Sequence, residues 1–366
     1  MQFGLYAPVP HVTVGSREIA ASVAGGQKPL AADQVDPAFI LAKDVLLAAE
    51  AAGFDIILFA ERHLGADMEA WILGSAVASW TTTIRSMVAV HPGLWHPTLI
   101  AKMAASLDRL STGRMAINLV TGWNVEEHKM FGGDDLPYND DRYVRAEEFA
   151  DVLRGMWRET PFSYDGRFYK VDKAQLLLKP ATVQPPEIFT ASRSERGLDM
   201  VAGIADWWFL DYDKGAETTR DVMDSLQKSI DRMREKSAAR GRKVRFAFNP
   251  FVTFGSSREA AVERAMKLVT PDGSDADTRK LLNRIGPATK AGCVGTPDQV
   301  RAQVLAYRDM GVELFLFKFV PSIAEVEAIR DEIIVPLRGK KSREASRPSP
   351  SSFETRPFGA SQDEGF

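Results

Sequence analysis

Leu-Asp-Arg-Leu-Ser-Thr-Gly-Arg-Met-Ala-Ile-Asn-Leu-Val-Thr-Gly-Trp, residues 107–123, is the stretch whose reading decides the fold. Leu107–Leu110 reads as a helix end, stopped at Gly113, which can take the left-handed conformation that a bulkier residue resists. A buried strand follows over Met115–Val120 and ends in Thr121-Gly122-Trp123. Asn118 interrupts that apolar run, and Gly122 lets the backbone approach a ligand closely. A polar side chain inside a barrel-type strand, followed by a Gly-Trp loop, places chemistry at the strand's C-terminal end.

Outward from this unit, short apolar runs alternate with amphipathic segments of helical period, the pattern of a parallel sheet with crossover helices. Strands are expected near 2–7, 55–60, 86–91, 114–120, 187–191, 206–210, 245–253 and 313–319. Helices are expected near 37–52, 71–80, 97–110, 140–158, 194–204, 216–240, 257–269, 297–309 and 322–337. Eight strands without a central break in composition favour an α/β fold, a (β/α)8 TIM barrel with insertions, over an open doubly wound sheet. The insertions are a long loop at 8–36, a small hairpin at 161–179 turning at Asp165-Gly166, and a polar, lid-like loop at 270–296. The barrel domain is expected over 1–338, with 339–366 a Ser/Pro/Gly-rich disordered tail.

With 366 residues, 45% of them hydrophobic, and a formal charge of −3, the chain has the composition of an ordinary globular protein. Interspersed charges of both signs suggest neither a nucleic-acid nor a membrane-surface partner. One cysteine, Cys293, excludes an intramolecular disulfide framework, suits a reducing cytoplasm and reads as a buried filler. The N-terminus reads directly as a strand, so no signal peptide is expected. No G-x-G-x-x-G fingerprint, Walker A sequence, G-x-S-x-G elbow or metal-ligand spacing occurs.

The polar residues that follow strands are the site candidates: His11, Glu61, Arg62, His63, His91, Asn118, Trp123, Ser192, Ser194, Asp211, Asn249 and Lys318. Three of the five histidines, His11, His63 and His91, fall at strand ends. Ser192-Arg193-Ser194-Glu195-Arg196-Gly197 opens a helix, where backbone N–H groups, two hydroxyls and two arginines suit a phosphate. Ser194 can also be read as a simple helix cap, though a cap needs neither arginine. Asn118 offers a donor and an acceptor to a ligand, or bonds to a neighbouring strand or water. Arg62 can face a ligand or pair with Glu61 or Asp67. His63 is the acid–base candidate, with His11 and His91 second to it. Trp71, Trp95 and Trp123 follow strands within a few residues and can wall off water.

The stretch at 107–123, together with 97–106, 140–172 and 292–320, resembles the bacterial-luciferase-like flavin monooxygenases, in the alkanesulfonate, dimethylsulfone and pyrimidine branch. That resemblance implies FMN as cofactor, arriving as FMNH2 from a separate NAD(P)H:FMN reductase, with O2 as co-substrate adding at the flavin C4a. Ser194 and Tyr143, beside Arg142, match residues that hold the FMN phosphate, although Ala191-Ser192 stands where relatives carry Gly-Gly or Ala-Gly. Asn118 and Glu127 match flavin ligands; Glu61 and Arg62 match positions against the ring; His63 matches a histidine near its reactive edge. Trp71, His91, Trp95, Trp123, Asn249 and Lys318 are the expected substrate pocket. Phe246–Phe251 lacks the arginine and histidine of the sulfonate enzymes, and Phe319 beside Lys318 replaces their tyrosine. Trp95 looks more like the dimethylsulfone enzymes, which implies a small neutral substrate. Homodimers or homotetramers are implied as well. The competing expectations are a deazaflavin (F420)-dependent hydride-transfer enzyme on the same barrel and a non-catalytic flavin-binding protein.

Overall fold

The computed structural model describes residues 1–8, 30–31, 33–61, 63, 68–121, 125–132, 140–213, 215–269 and 289–338. The elements run β1 (Gln2–Tyr6), α1 (Pro37–Ala52), β2 (Ile56–Phe59), α2 (Ala70–Trp80), β3 (Arg85–Val90), α3 (Pro97–Leu110), β4 (Met115–Leu119), α4 (Val125–Met130) and α5 (Asp141–Arg158). They continue with β5 (Phe162–Asp165), β6 (Lys170–Ala174), β7 (Glu187–Thr190), α6 (Glu195–Ile204), β8 (Trp207–Leu210), α7 (Thr219–Ala238), β9 (Arg245–Phe248), β10 (Thr253–Phe254) and α8 (Arg258–Val269). After β11 (Val294–Gly295) and α9 (Pro297–Met310), the chain closes with β12 (Val312–Phe317), α10 (Ile323–Ile329), a π turn (Arg330–Ile334) and α11 (Val335–Arg338).

Eight strands close into a parallel barrel in the order β1-β12-β9-β8-β7-β4-β3-β2. Alternation along each strand sorts its side chains between two cores. Ile56, Leu58, Met87, Ala116, Phe189, Trp207, Phe209, Ala247, Leu314 and Leu316 fill the barrel. Phe3, Leu5, Ile57, Phe59, Val88, Val90, Ile117 and Leu119 belong to the other core, with residues of the surrounding helices.

The quoted stretch behaves as its residues dictate. α3 ends in a turn where Thr112 and Gly113 take φ of 56° and 87°, and the Gly113 N–H donates to Asp108 O at 2.7 Å. Arg114 then ties this turn to the preceding repeat: Nη1 donates to Ile84 O at 2.6 Å and Nη2 to Thr81 O at 2.8 Å. The lower end of the barrel is closed by charge. Glu187 binds Arg85 at 2.6 Å and Arg245 at 3.2 Å, and Arg245 also reaches Glu313 and lies 3.7 Å from the Trp207 ring centroid. The upper, C-terminal mouth is therefore the end left for a site.

Three expectations change. The strand expected over 245–253 stops at Phe248, and Thr253–Phe254 pairs instead with Val294–Gly295 outside the barrel. Proline has no N–H to give a ladder, and Pro250 lies at the break. The last helix is divided by its π turn. α4 was not expected. The hairpin at 161–179 forms from β5 and β6, and Glu148 accepts from Arg167, Phe168 and Tyr169 N–H groups to hold its turn. Cys293 is fully buried, and burial pushes its thiol up to about 12, as suits an inert filler. The tail at 339–366 and the loop residues 270–288 lie outside the described residues.

Candidate active site

Ser194 caps α6: it is extended (φ −71°, ψ 154°), and its Oγ accepts from the Gly197 N–H at 3.1 Å. The same Oγ shares a 2.7 Å hydrogen bond with the Tyr143 hydroxyl, 51 residues earlier in α5. Arg142 Nη2 donates to that hydroxyl at 2.7 Å. Burial would raise the Tyr143 phenol, but hydrogen bonds with Ser194, Ser192 and Arg142 bring it below its usual value. Two serine hydroxyls, a phenol, a guanidinium and a helix N-terminus thus converge, a donor set suited to a phosphate. Gly197 makes the convergence possible. A Cβ there would lie 1.8 Å from Ser192 Oγ.

The other two arginines of this loop are spent elsewhere. Arg196 binds Glu147 through two 2.6 Å bonds, and Arg193 pairs with Asp211 and donates to Tyr212 O at 3.2 Å. The expectation that both face a phosphate is corrected by these carboxylates, and Arg142 is the guanidinium within the nest.

Asn118 sits on β4 between Ala89 of β3 and Phe189 of β7, two residues above Ala116 of the barrel interior. Its side chain makes no hydrogen bond to any described residue. This half-buried amide at the mouth, on the strand next to β7, can offer a donor and an acceptor to a ligand.

A second cluster lies over β2 and β3. The His63 ring stands edge-on to His91, with centroids 5.4 Å apart at 88°, and 5.1 Å from the Phe131 ring. Glu61 holds both ends of this loop: Oε2 accepts the Ala70 N–H at 2.8 Å, and Oε1 lies 3.6 Å from His63 Nδ1. Both side chains are buried, at 10% and 4% exposure. His91 is buried too, and burial first, then His63 and His128, pull its imidazole down to about 3, so it is neutral at working pH.

A third group joins Tyr6, Asn249 and Lys318. Asn249 Nδ2 donates to Tyr6 Oη at 3.0 Å, and Lys318 Nζ lies 5.5 Å from the Tyr6 ring centroid. Sequence reading missed Tyr6, although period two along Gln2-Phe3-Gly4-Leu5-Tyr6 could have found it.

Some expected residues go elsewhere. Trp71 is only 3% exposed and packs in the outer core, which removes it from the expected pocket wall. Trp95 is partly buried against that core. His11, Arg62 and Trp123 lie outside the described residues, as does the Glu127 side chain, whose backbone belongs to α4. Among the described residues no group of three or more His, Cys, Asp or Glu could hold a metal ion. No described helix is long and apolar enough to cross a membrane.

Comparison with known proteins gives the family. Residues 18–314 match the family model described as luciferase-like monooxygenase. The FMNH(2)-dependent dimethylsulfone monooxygenase of Pseudomonas fluorescens is 30% identical over 81% of this chain and 87% of its own. Among solved structures, DmoA from Hyphomicrobium sulfonivorans superposes with a TM-score of 0.68 at 18% identity, covering 92% of this chain and 87% of that one. An F420-dependent secondary alcohol dehydrogenase gives 0.67 at 15% identity, covering 91% and 98%. Those two likenesses speak for the fold alone.

Proposed function

Because the chain belongs to the luciferase-like monooxygenase family, we propose that it is the oxygenase of a two-component system, taking reduced FMN from a separate NAD(P)H:FMN reductase and oxygenating a small organosulfur compound. It is a flavin-dependent monooxygenase with reduced FMN as cofactor and O2 as co-substrate. What supports the site assignment is one observation: the hydroxyl nest of Tyr143, Ser192 and Ser194 forms after β7, and the unengaged Asn118 amide lies on β4, the strand paired with it.

Reduced FMN, when bound, activates O2 and supplies one oxygen atom to the substrate. The residues do the rest. Ser194, Ser192, Tyr143, Arg142 and the α6 N-terminus hold the phosphate, and Asn118 orients the pyrimidine edge of the ring. His63, backed by Glu61, gives or takes a proton at Nε2 or Nδ1. Neutral His91 sets no competing charge beside it. The apolar barrel interior beneath the site keeps water from the reacting edge.

Anaerobic titration with FMNH2, followed by O2 and a screen of sulfones, sulfonates, sulfides and cyclic amides by product mass, tests this reading. A product carrying one added oxygen from a sulfur compound is expected. A protein that fails to bind FMNH2, or that turns all O2 into hydrogen peroxide with every compound, refutes it.

A further inference from the structure

Tyr6, Asn249 and Lys318 come from or follow β1, β9 and β12, which are neighbours in the barrel. Each sits two residues beyond an inward position: Gly4, whose Cβ would meet Ile56 and Leu316, then Ala247 and Leu316. The Asn249 amide N–H occupies one lone pair of the Tyr6 oxygen, so the phenol proton is turned toward a different acceptor. Lys318 is fixed through its backbone, its N–H donating to Pro250 O at 2.9 Å and its carbonyl accepting from Val252 N–H at 2.9 Å. No carboxylate pairs with its ammonium among the described residues. Elsewhere at this mouth a carboxylate meets its cation, as Asp211 does Arg193. A phenol O–H bonded by Asn249 thus stands beside an exposed cation that no described carboxylate pairs, its Nζ over the Tyr6 ring, above an apolar floor against which that ring packs.

We propose that Tyr6 and Lys318, with Asn249 as positioning residue, form a clamp for a sulfur-bound oxygen of the substrate. Such an oxygen carries negative charge in a neutral sulfone and in an anionic sulfonate alike, and either group is met by a phenol O–H and an ammonium. The apolar floor suits short alkyl substituents on that sulfur. The clamp rests on the organosulfur monooxygenase reading and adds the group through which substrate is recognised.

The test uses dimethyl sulfone and methanesulfonate as probes on the FMN-loaded protein, by calorimetry and by KM in the coupled assay. Tyr6→Phe should weaken the bound probe roughly 3–10-fold, and Asn249→Leu should do the same by releasing the phenol. Lys318→Met should weaken it roughly 10–100-fold, and Lys318→Arg should recover most of that loss. Thermal midpoints of the four variants check the fold. Loss of methanesulfonate binding alone assigns an anionic substrate group, and loss of both assigns the shared oxide; each upholds the clamp. A wild-type protein that binds neither probe, or variants that bind both as the wild type does, overturns it. Failure of the underlying reading looks different: FMNH2 is then neither bound nor oxidised with coupled product in the wild-type protein.

Discussion

Acidifying the protein from about pH 7 to about pH 5 should cost about 2 kcal/mol of folding free energy at a single side chain, His91. Burial is the main cause, since an imidazolium there would lose its hydration; His63 and His128 add to it, because their own protons would repel a third. Glu61 faces His63 rather than His91, so no described carboxylate stabilises a charge on His91. The usual value of 6.5 therefore falls to about 3 in the fold. Above 6.5 neither state holds the proton and the full stability is present. As the pH falls below that point the unfolded chain takes up a proton that the folded site refuses until about 3, so stability is lost across the interval. The slope inside it is about 1.4 kcal/mol per pH unit, and integration from about 7 to about 5 gives the figure above. Urea unfolding at both pH values, for the wild type and for His91→Gln, isolates the effect, because carboxylates that titrate alike in both proteins cancel. The acid-induced loss should be about 2 kcal/mol smaller in the variant. Equal losses would show that His91 accepts a proton in the fold as readily as in the unfolded chain, and the reasoning from burial would be wrong.

At the hydroxyl nest, Tyr143→Phe should weaken FMN binding about 10–100-fold in a fluorescence titration while the fold persists, since it removes a hydrogen bond near a charged group. Gly197→Ala drives a methyl into Ser192 Oγ, 1.8 Å away, and should cost about as much in FMN affinity; unchanged affinity would place the phosphate elsewhere. Glu61→Gln keeps an acceptor for the Ala70 N–H but removes the charge 3.6 Å from His63. Coupled turnover should fall about 10-fold or more with KM steady and the pH–rate profile displaced, and an unmoved profile would confine Glu61 to a structural part.

Much of this fold is legible in the sequence. Strands such as Met115–Leu119 stand out because a parallel barrel buries both faces of each strand, and apolar runs of that length bounded by amphipathic helices have few other uses. The same double burial hides which face is which. In Ile56–Phe59 every residue is apolar, so only register separates Ile56 and Leu58, inside the barrel, from Ile57 and Phe59, outside it. Partners are hidden for a related reason. Arg193 and Arg196 carry the composition of a phosphate loop, yet Asp211 and Glu147 arrive from other repeats to neutralise them. Trp71 lies after a strand as a pocket residue would, but the first turn of α2 points it into the outer core.

Once the interior face is known, the mouth follows by counting. Two residues on from Ala116 is Asn118, from Ala247 is Asn249, and from Leu316 is Lys318; two steps of two from Met87 reach His91, and one from Gly4 reaches Tyr6. Each carries a polar group, in positions where a closed barrel would otherwise continue its apolar filling. A fold gains nothing from ending these five strands this way, because polar groups at a mouth must be hydrated or matched by a ligand. A bound polar ligand matches several of these groups at once, which scattered waters do not. The ring of polar residues at these strand ends, more than any single histidine, is what the proposed meeting of cofactor and substrate at this mouth rests on.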